Sequence, residues 1–183
     1  MSTGRPHPLN SPSNPGASGD LIVALNRLQP HHIPQAGDKA VALGRMLQAG
    51  LPVPPGFVLT AQAFTSFLAS NSEQVEEAIR AALDSHPKIE RWAVRSSATG
   101  EDTAHASFAG QHDTFLNVAR DEIAARVRDC WNSLFQPRAL LYRARQRLAW
   151  DRAAMAVIIQ EMVAAEYAGV IFTLDPLTND PSR

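Results

Sequence analysis

With 183 residues and a formal net charge of -1, the chain has no electrostatic surplus with which to hold nucleic acid or an anionic membrane surface. Such a length suits one domain, or one domain plus a tail, and buries roughly two-thirds of the unfolded surface, enough for a real core. The single cysteine excludes an intrachain disulfide and fits a reducing compartment, and no apolar run approaches the ~20 residues of a membrane span.

Residues 1–20 are rich in Ser, Pro, Gly and Asn, and no charged region there leads into an apolar one. They are expected to form a flexible N-terminal tail before a domain over 21–183, and a cytoplasmic location is expected. Leu21 to Leu28 is a short apolar-rich segment. Gly37-Asp38 then opens a helix, with Asp38 as its cap and Val41, Leu43, Met46 and Leu47 as apolar positions. Gly50 ends it, and Pro52, Pro54 and Pro55 stiffen the link to Gly56. Phe57 to Thr60 is predicted as a strand whose last residue caps a helix with Phe64, Phe67 and Leu68 inward.

Ser72 opens a third helix, with Val75, Ile79, Ala82 and Leu83 on one face and Glu76 and Arg80 as an i,i+4 pair on the wet side. Arg91 to Arg95 and Thr114 to Val118 are predicted strands. Asp121 is expected to cap a helix carrying Ile123, Val127, Cys130, Trp131 and Leu134, and Pro137 to start the next. Met155 to Val163 and Ala168 to Leu174 are β-rich runs joined by a short link, which predicts an antiparallel hairpin. Helices and strands intermix without regular βαβ alternation, so the fold class is α+β.

The chemistry concentrates in Trp92-Ala-Val-Arg-Ser-Ser-Ala-Thr-Gly-Glu-Asp-Thr103 and in Ala106-Ser-Phe-Ala-Gly-Gln-His-Asp-Thr-Phe115. An apolar strand delivers Arg95 into small and hydroxylated residues, Ser96, Ser97 and Thr99, with the Gly110 loop beside it. This pattern suits a polyphosphate, because a guanidinium supplies charge and a donor fork while Gly and Ser let backbone N–H groups approach. Lys39 sits at a helix start, where anions are attracted. The G-x-x-x-x-G-K-[ST] pattern is absent, so this is not a P-loop. Gln160-Glu161-Met162-Val163 ends an apolar strand that offers backbone groups and Gln160 to a flat base. Arg138, Arg143, Arg145 and Arg147 are read as the solvated side of a helix. The six histidines have no ligand spacing, so no zinc site is expected.

Together these segments resemble the N-terminal nucleotide-binding domain of the phosphoenolpyruvate synthase and pyruvate phosphate dikinase family, which includes rifampicin phosphotransferase. Gly37-Asp-Lys-Ala40 with Leu43-Gly44 resembles the family's glycine-rich helix start. Gly50-Leu-Pro-Val-Pro-Pro-Gly-Phe57 resembles its Pro-rich turn. Ala93 to Thr99 and Ser107 to Gln111 resemble its two characteristic loops. Gln160 to Val163, and Gly169 through Thr178, resemble its hinge and following strand.

The resemblance implies an ATP-grasp-like architecture of helices with antiparallel sheet, incomplete at the C-terminus. It implies that Lys39 and Arg95 contact phosphates and act as the catalytic cations. It places Gly110 and Thr114 in the loop closing over the phosphates, and Gln160, Glu161 and Val163 beside adenine. ATP is the implied cofactor, with magnesium ligands outside this chain. The implied enzyme is an ATP-dependent phosphotransferase acting through a phosphohistidine domain that this chain lacks, supplied in cis or in trans with the missing C-terminal half. Asp38 and Ala40 stand where the family has glycines. The alternative is a non-catalytic interaction module or half of a split enzyme. A corollary of the incomplete ATP-binding domain is that Met155 to Leu174 keeps unpaired strand edges, which favours self-association.

Overall fold

A computed structural model describes residues 20–98, 113–137, 139–141 and 154–169. Its strands are Ile22–Ala24 (β1), Gly56–Leu59 (β2), Arg91–Ala98 (β3), Thr114–Ala119 (β4) and Met155–Glu161 (β5). They form one sheet in the order β1-β2-β5-β3-β4, and every neighbouring pair is antiparallel. The helices are Ile33–Gln48 (α1), Ala61–Leu68 (α2), Ser72–Asp84 (α3) and Ile123–Ser133 (α4). The α+β class expected from the sequence is the one observed.

Alternation along the strands divides the core in two. Phe57, Leu59, Trp92, Val94, Val157 and Ile159 face a large cluster built by α2, α3 and α4. Val58, Ala156 and Ile158 face a smaller one, closed by α1 together with Leu25 and Leu28. Small residues at Ala36, Ala40 and Gly44 let α1 lie close: a Cβ on Gly44 would meet the Leu25 carbonyl oxygen at 2.8 Å. β5 reads as an uninterrupted apolar run because it is buried on both faces and paired on both edges.

That centrality overturns the hairpin. Across Val157–Gln160 both edges of β5 are taken, by β2 and by β3, so no edge remains there for the 168–174 run. The unpaired-edge argument for self-association therefore fails for β5. Residues 170–174 lie outside the described residues.

Helix boundaries follow the sequence more closely than the caps do. α1 begins at Ile33, with Pro34 in its first turn, and is broken at Gly37 (φ 77°, ψ 161°), so the helix proper does start after Gly37. Asp38 follows the break, but its carboxylate makes no hydrogen bond among the described residues. The far end closes as expected: Gly50 has φ 76°, its N–H donates to Leu47 O and that of Leu51 to Met46 O, each at 3.0 Å, a Schellman motif.

Thr60 precedes α2, but its hydroxyl donates to Asp20 O at 2.8 Å, tying down the entry to β1 instead of capping the helix. Phe64 is buried, Phe67 half-buried, and Leu68 faces solvent. Glu76 does not pair with Arg80: tertiary packing brings Arg128 of α4 to it at 2.6 Å. Before α4, Asp121 lies in a 3-10 turn and the neighbouring Glu122 accepts the Ala119 N–H at 3.1 Å. The apolar stripe of α4 is buried as its spacing predicts, Cys130 included. Residues 137 and 139–141 are helical, as Pro137 suggests. Arg138, Arg143, Arg145 and Arg147 lie outside the described residues.

Candidate functional site

Register decides which candidate residues meet. Ala93, Arg95 and Ser97 of β3 lie across from Gln160, Ile158 and Ala156 of β5, and Arg95 lies across from Thr114 of β4. Ile158 and Ala156 belong to the α1 side of the sheet, so Arg95, Ser97, Gln160 and Thr114 share that side. Ser97 is fully buried, and its hydroxyl donates to Ala36 O at 2.8 Å. This bond ties the start of the α1 helix proper, Gly37 to Lys39, to the strand that carries Arg95. Arg95 and Ser97 are two positions apart, about 7 Å along the strand.

Lys39 is exposed at the rim of α1, beside the buried Ala40. Arg95 is half-buried. Among the described residues neither cation has an ion-pair partner, whereas Arg120, Arg126 and Arg128 are each paired with a carboxylate. Thr114, the first residue of β4, is exposed. Gly110 and Thr99 lie outside the described residues.

The two serines are spent differently from their sequence reading. Ser96 is buried on the side of the large core, and Ser97 is consumed by Ala36. The Ser97 hydroxyl is engaged within the fold. The residue type alone cannot reveal this, because a buried strand serine and a ligand-facing one look identical in sequence.

At the other end of the β3–β5 ladder the chain leaves the sheet. Gln160 is buried, and its side-chain amide donates to Pro54 O at 2.9 Å, fixing the proline-rich link. The Glu161 N–H donates to Pro55 O at 2.9 Å and that of Met162 to Arg91 O at 3.0 Å. Glu161, Met162 and Val163 line a cleft of about 350 Å³ with Lys88 and Arg91. Gln160 does not line it. Met162 beside Arg91 stands about 13 Å along the ladder from Arg95. The structure thus gathers Lys39, Arg95, Thr114 and Gln160 on one side and puts Glu161 and Val163 at the strand exit.

The pyruvate phosphate dikinase AMP/ATP-binding domain matches this chain over residues 33–90 and 71–183, and the chain belongs to that family. It is 35% identical to phosphoenolpyruvate synthase of Aeropyrum pernix, across 89% of this chain and 25% of that protein. It is 35% identical to rifampicin phosphotransferase of a Streptomyces species, across 89% of this chain and 21% of that protein. With prodigiosin synthesizing transferase PigC of Serratia marcescens the identity is 39%, across 89% and 21% respectively. The chain spans about a quarter of the length of these curated relatives.

Proposed function

We propose that the chain is the ATP-binding part of a phosphotransferase of the phosphoenolpyruvate synthase type. The observation that carries this reading is Arg95, a half-buried guanidinium with no carboxylate partner among the described residues, on the side of the sheet where α1 presents Lys39. A cation so placed calls for an anion, and an arginine–phosphate hydrogen bond contributes roughly 1.5–3 kcal/mol. Fixed positive charge at the transferring phosphoryl group is the main catalytic device of such chemistry.

In this reading Lys39 and Arg95 hold the phosphates, and Gly110 and Thr114 belong to the loop that closes over them. Gln160 and the Glu161–Val163 backbone adjoin the adenine, with the nucleotide between two lobes as in ATP-grasp enzymes. Gln160 acts through its bond to Pro54 more than as a free donor. The phosphoryl group passes to a histidine on a further domain, in cis or in trans, and then to a small acceptor that the residues of this chain do not select. Among the described residues no group of three or more His, Cys, Asp or Glu side chains converges. Magnesium beside a nucleotide needs only one or two carboxylates together with the phosphates; in this reading they lie outside the described residues, and no step is routed through the metal. Among the described residues no helix is long and apolar enough to cross a membrane.

Calorimetric titration of the chain with ATP, beside Arg95→Ala, tests the proposal. Weak binding that the substitution reduces about tenfold or more is expected, without turnover by the isolated chain. Equal binding by both proteins would remove the phosphate clamp. Absence of any nucleotide binding, with tight capture of a separate protein, would favour the interaction-module alternative.

A further inference from the structure

We propose that Ser97 is a positioning residue of the polyphosphate site: its buried hydroxyl holds the Gly37 turn, and so keeps Lys39 in register with Arg95. The inference rests on the phosphate-clamp reading of those two cations and adds the element that couples them.

Three observations meet at one hydrogen bond. The Ser97 hydroxyl reaches across 61 positions of sequence to Ala36 O at 2.8 Å, and Ser97 is fully buried. Ala36 immediately precedes Gly37, whose backbone (φ 77°, ψ 161°) breaks α1. At such a break the flanking backbone groups need partners from outside the helix, and Ala36 is given Ser97. Ser97 in turn lies on the same strand and the same side as Arg95. A chain of stiff links therefore runs from Arg95 along β3 to Ser97, across to Ala36, and round Gly37 to Lys39. Lys39 itself is exposed and unpaired among the described residues, so its position follows from the backbone of its turn, which Ala40 and Val41 pack on the core and the Ser97 bond holds at Ala36, where Gly37 breaks the helix. Two cations converge on one ligand only if their separation is held, because a misplacement of about 1 Å is enough to lose much of the benefit.

Ser96 supplies the control. It is the adjacent strand residue, it is also buried, and it lies across from Val157 on the side of the large core. Its removal perturbs the same strand without touching the Ala36 bond.

The test compares ATP and adenosine binding by the full chain, by Ser97→Ala, and by Ser96→Ala, with hydrogen exchange of the 33–44 segment followed in each free protein. Ser97→Ala is expected to lower ATP affinity about tenfold, to leave adenosine affinity unchanged, and to speed exchange in 33–44. Ser96→Ala is expected to do none of these. Unchanged ATP affinity in a folded Ser97→Ala protein overturns the proposal, as does an equal loss for ATP and adenosine. If the parent chain binds ATP no better than adenosine, the phosphate-clamp reading fails first and takes this inference with it. Should Ser97→Ala not fold, Ser97→Thr keeps the hydroxyl: the ATP-over-adenosine preference is then expected to survive, and its loss in that folded variant would overturn the assignment.

Discussion

Gly56 and Gln160 face each other across the β2–β5 ladder so closely that position 56 admits no side chain. An added Cβ would lie 2.3 Å from the Ile159 carbonyl oxygen and 2.8 Å from the Gln160 Cα, both main-chain atoms of the central strand. Neither can move aside as a flexible side chain would. Gly56→Ala is expected to destabilise the fold by about 1–3 kcal/mol, lowering the melting temperature roughly 2–4 °C per kcal/mol. Denaturant titration checks this, and an unchanged midpoint would mean the strands are not so paired.

Gly37 makes a second demand, on conformation instead of space. Its dihedrals (φ 77°, ψ 161°) are open to glycine and strained for any L side chain. Gly37→Ala is expected to cost about 1–3 kcal/mol and to weaken ATP binding by shifting Lys39. A variant with native thermal stability would show that the break in α1 is not needed.

Trp131 joins α4 to the start of β5. Its indole N–H donates to Met155 O at 3.1 Å, and its ring lies 4.9 Å from that of Phe67. Trp131→Phe keeps an aromatic ring but leaves a buried carbonyl without its donor. A loss of about 1–3 kcal/mol is expected by equilibrium unfolding.

The Arg128–Glu76 pair should matter far less. Both side chains are 42% exposed, so solvent screens them. A double-mutant cycle is expected to give a coupling of at most about 1 kcal/mol, shrinking with added salt. The same cycle on Glu76 and Arg80 should give none.

Cys130 carries a pH signature. Burial, reinforced by the Asp113 and Asp129 carboxylates, pushes its thiol up to about 12. In the unfolded chain the thiol titrates near about 8.5. Because the folded state resists ionisation, this contribution is complete below the unfolded pKa. It declines by about 1.4 kcal/mol per pH unit as pH rises toward the folded value. Cys130→Ala should lack this extra alkaline decline relative to the parent. The native thiol should also resist alkylation at pH 8 until denaturant is added.

Much of the fold was legible because local physics decided it. The four-three-one-three spacing of Ile123 to Leu134 can bury only one helical face, and that face is buried. Gly50 could end α1 because only the backbone is involved. The Glu76 partner was not legible: helical spacing offered Arg80, while packing of α3 against α4 brought Arg128 nearer. The hairpin failed for a related reason. Two apolar runs close in sequence suggest each other as partners, but β2 and β3, far away along the chain, occupy both edges of β5 first.

By itself the sequence determined the α+β class and the family, and it singled out Arg95 and Lys39 as the candidate phosphate-binding cations. These depend on residue type and short spacing, which a chain carries before it folds. The tertiary structure alone decided that Ser97 serves Ala36, that Gln160 is held by Pro54, and that Arg95, Thr114 and Lys39 lie on one side of the sheet. Those relations depend on strand register and on contacts tens of residues apart, and a shift of one residue in register would have sent the same side chains to the opposite face.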